Sequence, residues 1–197
     1  MKRSYSLLSP FYDLVAGPLF TAARRQSLAS LPRGSVGRAL INGIGSGLDL
    51  PLLPPEHAYV GLDLTRAMLA RCAPRAGRLQ FRAVQGDSLA LPFRDASFDY
   101  AVLHLILAIV PDAVRALAET ARVVRPGDTV LIFDKFLSRG RRAPLRRLLS
   151  PLTGALVTRL DVVFEDILPH VPALRLASDE PALAGGWFRR IRLERTG

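Results

Sequence analysis

The chain has 197 residues, 49% of them apolar and 22% charged, which fits one ordinary domain with a sizeable core and excludes a disordered chain. Its formal charge is +10, from 27 basic and 17 acidic residues, and every basic residue except Lys2 and Lys135 is an arginine; the excess suits an anionic partner or a biased genome. Cys72 is the single cysteine and His57, His104 and His170 are scattered, so an internal disulfide and a Cys- or His-rich metal site are excluded.

The apolar run from Ala101 to Val110 is broken by His104 and is far shorter than the roughly 20 residues that cross a bilayer. Met1-Lys2-Arg3 leads into an apolar stretch broken by Pro10 and Asp13, a poor signal peptide. A cytoplasmic location is expected, with peripheral contact at the inner membrane face left open.

Leu7, Leu8, Phe11, Leu14 and Val15 recur at helical spacing, so residues 6–30 read as helical, broken at Pro18, with a second helix from Thr21 to Leu31. Pro32-Arg33-Gly34 is a turn. Strands are predicted at Arg38 to Asn42, Tyr59 to Leu62, Leu79 to Val84, Phe98 to Leu105 and Thr129 to Phe133, the last after a turn at Pro126-Gly127-Asp128. Between them, Leu48 to Leu53 reads as a brief helix, Thr65 to Cys72 as a helix capped by Thr65, and Asp112 to Val124 as a helix. Beyond these, Leu145 to Val157 and Val162 to Leu168 read as helices, and Leu174 to Ser178 and Phe188 to Leu193 as strands closing the far edge. This alternation predicts an α/β fold: a doubly wound, mostly parallel, seven-stranded sheet flanked by helices.

Gly43-Ile44-Gly45-Ser46-Gly47 directly follows the first strand, where glycines let the chain turn and bring backbone N–H groups against a ligand. Asp63 ends the next strand, 20 residues after Gly43, where a carboxylate accepts both hydroxyls of a ribose. Dinucleotide binders favour a third glycine where Leu48 stands, so the loop suits a ligand without a pyrophosphate. Gln85-Gly86-Asp87-Ser88 follows the third strand, where an acid and a serine N–H would bracket an adenine edge.

With Gly61-Leu62-Asp63-Leu64-Thr65-Arg66-Ala67-Met68-Leu69, Leu91-Pro92-Phe93, Ser97-Phe98-Asp99 and Val123-Val124-Arg125-Pro126-Gly127, these segments resemble the class I S-adenosylmethionine-dependent methyltransferases over residues 9–136. The look is nearest to the quinone-biosynthesis and bacterial phosphatidylethanolamine N-methyltransferase groups, and Tyr12-Asp13 matches an N-terminal element of those groups. The resemblance implies a Rossmann-like fold and S-adenosyl-L-methionine as cofactor. It implies that Gly43, Ile44, Gly45 and Gly47 line the methionine part. Asp63 would bind the ribose, Leu64 and Met68 would pack on the adenine, and Gly86, Asp87 and Ser88 would meet its edge. Leu103, His104 and Leu105 would face the methyl group. The acid that the family carries two residues before the first loop glycine is replaced here by Ile41; the next residue, Asn42, would substitute through its amide oxygen without bringing a charge.

Methyl transfer draws its reactivity from the cofactor, and the protein supplies alignment. His104 is the candidate base, or a histidine packed beside the cofactor. Asp134 is a second candidate, or an ion-pair partner of Lys135, and Tyr12 would cover the methyl group or serve as a core aromatic. Cys72 reads as a structural thiol. No metal is implied.

The resemblance places residues 1–32 as a helical cap over the acceptor pocket, 33–136 as the cofactor-binding core and 137–197 as a C-terminal part of one domain. Between Gly43 and Asp99 the charges balance, whereas Lys135 to Leu160 carries seven basic residues and no acid, with Leu145, Leu148, Leu149, Leu152 and Leu156 at helical spacing. That segment is either a solvated basic face or a helix that lies on an anionic membrane. No aromatics interleave its arginines as stacking platforms, which argues against nucleic acid. The expected activity is methyl transfer to a small or lipid-like acceptor. The alternatives are a non-catalytic S-adenosylmethionine-binding sensor and a nicotinamide-dependent oxidoreductase. Oligomeric state is not legible.

Overall fold

The computed structural model describes residues 20–31, 36–137 and 162–197. Tyr12, the amphipathic pattern before Pro18 and the expected basic helix from Leu145 to Val157 lie outside the described residues.

Seven strands form one sheet: β1 (Arg38–Asn42), β2 (Ala58–Asp63), β3 (Gln80–Gln85), β4 (Phe98–His104), β5 (Val124–Lys135), β6 (Leu174–Leu183) and β7 (Phe188–Arg195). Their order is β3-β2-β1-β4-β5-β7-β6, parallel except for β7, which lies antiparallel between β5 and β6. The two C-terminal strands thus extend the sheet as a hairpin with β6 at the edge. Arginines tie them across the face: Arg190 to Glu180, Arg175 to Glu194, and Arg189 to both Asp179 and Glu165. The strand order reverses between β1 and β4, so a crevice opens outside their carboxyl ends, where ligands bind in open α/β sheets.

Successive side chains on a strand point to opposite faces, and here that alternation sorts the core. Leu40, Ala101, Leu103, Val130 and Ile132 join one cluster beneath α4 (Ala113–Val123). Ala39, Ile41, Tyr100, Val102 and Leu131 join another, with Leu28 from the end of the first described helix, α1 (residues 20–28), and Leu31 just after it. The central strands are therefore buried on both faces, as the unbroken apolar runs of β1 and β4 require.

Several helical expectations shrink. Leu48 to Leu53 keeps only a 3-10 turn, Leu50–Leu52. The helix expected over Thr65 to Cys72 is two short ones, α2 (Arg66–Leu69) and α3 (Ala73–Ala76), divided before Pro74, which has no N–H to continue a helical ladder. Thr65 does not cap α2; its hydroxyl donates to Asp63 Oδ1 instead, at 3.0 Å. Asp112 does cap α4, accepting from the Arg115 N–H at 2.9 Å. The turn at Pro126-Gly127-Asp128 is a bulge inside a longer β5, with the register against β4 slipping between Phe98 and Tyr100. α5 (Phe164–Ile167) is a four-residue remnant of the helix expected over Val162 to Leu168. Among the described residues, no helix is long and apolar enough to cross a membrane.

Candidate functional site

The site lies over the carboxyl ends of β1, β2 and β4. The loop Gly43–Gly47 leaves β1 and is pinned at once to its neighbour: the N–H groups of Gly43 and Ile44 both donate to the Leu62 carbonyl at 2.9 Å. Gly43, Gly45 and Gly47 have φ of 75°, 57° and 83°, a region L side chains rarely adopt. At Gly43 a Cβ would also stand 2.4 Å from Ile106 Cδ1, so only glycine lets the loop pass the segment after β4. At Gly45 a Cβ would meet nothing within 4 Å, because that position faces the open crevice. Gly47 packs inward against Leu50 and Cys72, and the Cys72 thiol donates to the Gly45 carbonyl at 3.4 Å, a structural role.

Asp63 stands at the end of β2, half-buried in the crevice wall. Its Oδ2 accepts from the Gly45 N–H at 2.9 Å, and its Oδ1 from the Thr65 N–H at 2.9 Å. These bonds fix the carboxylate between loop and strand. An ionised carboxylate has about four acceptor positions; the two N–H groups and the Thr65 hydroxyl take three, so one is open to a ligand hydroxyl and a second opens when the Thr65 hydroxyl turns away. Leu64 beside it is 50% exposed, and Met68 is buried in the crevice wall.

On the other side of β1, the crevice meets a buried polar network. His104 ends β4 and is 5% exposed. Its Nδ1 lies 2.9 Å from Asp49 Oδ1 and its Nε2 3.0 Å from Ser27 Oγ. An ionised Asp49 can only accept, so Nδ1–H donates to it, while Nε2 pairs with the Ser27 hydroxyl, which can donate or accept. Arg24 Nη1 donates to the same Asp49 oxygen at 2.7 Å. Burial pushes the Asp49 carboxyl up, but Arg24 and His104 together outweigh it and hold it well below the usual carboxylate range. The network thus ties α1 to the glycine loop and to β4. Arg24, His104 and Leu105 line the crevice; Asp49 lies behind them.

Leu105 adopts φ 59°, uncommon for a bulky residue, and its N–H donates to the Phe133 carbonyl at 2.8 Å. Leu103, by contrast, is fully buried in the core cluster under α4, one residue out of phase with the crevice. Asp134 ends β5 and is fully buried. It accepts from the N–H groups of Lys135 at 2.8 Å and Ala108 at 3.2 Å, so it clips the segment after β4 to the sheet. Burial pushes its carboxyl above the usual range; the charge of half-buried Lys135 acts in the opposite sense.

The same alternation turns Asn42 away from the crevice. Its amide oxygen accepts from the Ser88 hydroxyl at 2.6 Å, and its Nδ2 donates to Thr120 Oγ1 of α4 at 3.1 Å. Both ends of the amide are engaged on the α4 face, which leaves no support for the substitution expected at Asn42. The Ser88 side chain points inward as well, whereas Asp87 is exposed, with Oδ1 accepting from the Leu89 N–H at 2.9 Å. At Gly86 a Cβ would stand 2.8 Å from Leu62 Cδ1, so this glycine serves close packing.

Arg24, Ser27 and Asp49 are not among the residues that sequence reasoning selects, although Asp49 follows the last loop glycine by only two positions. The usable signal was an acid placed just past a glycine loop in an otherwise apolar stretch. No cluster of His, Cys, Asp and Glu suited to a metal occurs among the described residues.

Residues 40–132 match the family model described as a methyltransferase domain. The chain is 31% identical over 201 residues to a phosphatidylethanolamine N-methyltransferase of Cereibacter sphaeroides, covering 99% of this chain and 97% of that protein. It is 34% identical over 155 residues to a demethylmenaquinone methyltransferase of a Roseiflexus species, covering 74% of this chain and 63% of that protein. A solved methyltransferase of Thermotoga maritima shares the fold, with a TM-score of 0.72 at 18% identity over 100% of both chains.

Proposed function

Because the chain belongs to the class I S-adenosylmethionine-dependent methyltransferases, we propose that its acceptor is a lipid-like molecule whose nucleophile is an amine of a phospholipid headgroup. The observation that carries this reading is the reach of the similarity. The phosphatidylethanolamine N-methyltransferase is matched along 99% of the chain, including both segments that flank the cofactor core, whereas the demethylmenaquinone methyltransferase is matched along 74%. The flanking segments are apolar and basic in this sequence, which suits acyl chains beside an anionic phosphate.

The cofactor, when bound, supplies an electrophilic methyl group on a sulfonium. The residues present fit it: a loop open to the crevice at Gly45, a carboxylate oriented by two backbone N–H groups, and an exposed apolar side chain at Leu64. In this reading Asp63 takes the ribose hydroxyls and Leu64 and Met68 flank the adenine. His104 acts by position: with both ring nitrogens engaged by Asp49 and Ser27, it holds the wall of the crevice in place. Holding the cofactor methyl group and the acceptor in line can lower the barrier by up to about 7–11 kcal/mol, and a steady crevice wall serves that alignment. Residues 1–32 would close the acceptor side, with Tyr12 over the methyl group.

The test is transfer of a labelled methyl group from the cofactor to vesicles of phosphatidylethanolamine, run beside a demethylated naphthoquinone. Label in the lipid headgroup is expected. Label in the quinone alone would replace the amine reading with a carbon acceptor, which the Roseiflexus relative favours.

A further inference from the structure

A second pocket opens between α1, with the turn after it, and the hairpin of β6 and β7; Ser27, Ser30, Ser178, Glu180, Arg190 and Arg192 line it. Residues opposite each other on paired strands share a face of the sheet, so the pairing of β6 with β7 sets the chemistry there. Three rungs of the hairpin place an arginine on this face: Arg175 opposite Glu194, Arg192 opposite Ser178 and Arg190 opposite Glu180. In the outer two the arginine meets a carboxylate, at 2.6 Å from Arg175 and 2.7 Å from Arg190. The middle rung has a serine in place of the acid, and Arg192 forms no ion pair or hydrogen bond among the described residues. We propose that this pocket is an anion site, where Arg192, Ser178 and Ser30 take the phosphate group of a mono- or diester. It lies outside the cofactor crevice and does not rest on the reading of the methyl acceptor.

Three observations converge on it. First, the serine is brought there by a bulge. Between Leu176 and Ser178 the register against β7 slips by one residue, Ala177. Without the slip Ser178 would stand opposite Ile191, on the core face; with it, Ser178 stands beside Arg192. Bulges re-aim side chains in this way and favour functional positions. Second, the donors at the pocket exceed the acceptors. Arg192 is exposed, and the hydroxyls of Ser30 and Ser178 make no hydrogen bond among the described residues. Ser27 is already engaged, with Oγ 3.0 Å from His104 Nε2. The carboxylate at the pocket, Glu180, is held by Arg190, which also donates to Gln26. Two guanidinium groups thus face one carboxylate, and the charge of Arg192 is left over. Third, a guanidinium is a planar fork of N–H donors that matches phosphate oxygens, and hydroxyls complete such a cradle. A cation would meet Arg192 head on, and an apolar ligand would strand both serine hydroxyls.

The test titrates the full chain with inorganic phosphate in a chloride buffer and follows the backbone N–H resonances of Ser30, Ser178 and Arg192. The parent is expected to bind, with shifts centred on these three. Arg192→Gln keeps an exposed polar side chain and should weaken binding about ten- to a hundredfold, the range of a charge-assisted hydrogen bond. Arg175→Gln removes an equal charge from the same face, at a rung that has its own acid, and should leave binding within about twofold. Sedimentation with phosphatidylglycerol vesicles in phosphate-free buffer then assigns the source. If Arg192→Gln releases the chain from the vesicles, the phosphate is that of a lipid headgroup. If parent and variant sediment alike, it is that of a soluble ester; either result supports the site. The proposal is overturned if the parent binds no phosphate, or if Arg192→Gln binds it as the parent does. It is equally overturned if Arg175→Gln weakens binding as much as Arg192→Gln, since overall charge would then account for it.

Discussion

Two buried carboxyls, Asp49 behind the glycine loop and Asp134 at the end of β5, sit near the same end of the sheet and are held in opposite ways. Both are almost completely out of water, at 2% and 0% exposure. At Asp49 a guanidinium and an imidazole face the carboxylate and outweigh its burial, so it stays ionised far into acid. At Asp134 burial wins over Lys135 and the backbone N–H groups of Lys135, Ala108 and Leu107, and the carboxyl is pushed up. Burial sets the size of the stakes; the partner sets the sign. A buried acid with a guanidinium in front of it fixes that cation in place, whereas one surrounded by backbone donors works as a clip for a loop.

The sharpest way to break the contrast is to remove each acid alone. Asp49→Ala leaves the Arg24 cation buried without its counter-charge and should cost about 3–5 kcal/mol in urea unfolding. A loss near zero would mean that water already reaches the pair. Asp134→Ala removes the acceptor of the Ala108 and Lys135 N–H groups, a loss of about 1–3 kcal/mol for leaving buried donors unmet. It should also speed hydrogen exchange at Ala108; unchanged exchange there would end the description of Asp134 as a clip. Gly43→Ala tests the same wall without touching a charge. Its Cβ would overlap Ile106, an overpacking cost of about 1–3 kcal/mol that Ile106→Ala should partly restore. Failure of that rescue would place the cost in the left-handed backbone of Gly43 instead.

The two regions also differed in how far the sequence revealed them. The strands of the cofactor half were legible because apolar runs between glycines and prolines specify parallel strands, and Asp63 because its distance from the glycine loop is set by one crossover between adjacent parallel strands. Leu103 and Asn42 were misread for one shared reason. Both lie on strands whose side chains alternate between faces, and the face is fixed by register against α4, which no local pattern states. His104 was legible as a crevice residue but not as one with both nitrogens engaged, because its partners Ser27 and Asp49 are 77 and 55 residues away in the chain. The helices after β2 came out shorter than expected because propensity over a few residues yields to packing and to Pro74.

The contrast should finally appear as two opposite slopes in stability against pH. Asp134 has a folded pKa above its unfolded value near 3.9, so the native state holds its proton more tightly. Its burial costs stability at neutral pH, and that cost falls away as pH drops through the raised value and is gone below the unfolded one. Asp49 has a folded pKa below its unfolded value, so its contribution is complete at neutral pH and is lost as pH falls below about 4. Subtracting each variant's unfolding free energy from the parent's cancels every other carboxyl. Between about pH 5 and 3, where histidines are already protonated in the unfolded chain, parent minus Asp134→Ala should rise as pH falls. Over the same range parent minus the double variant Arg24→Met, Asp49→Leu should fall. Parallel slopes would show that the two acids share one environment, and the distinction between an acid that fixes a cation and one that clips a loop would be lost.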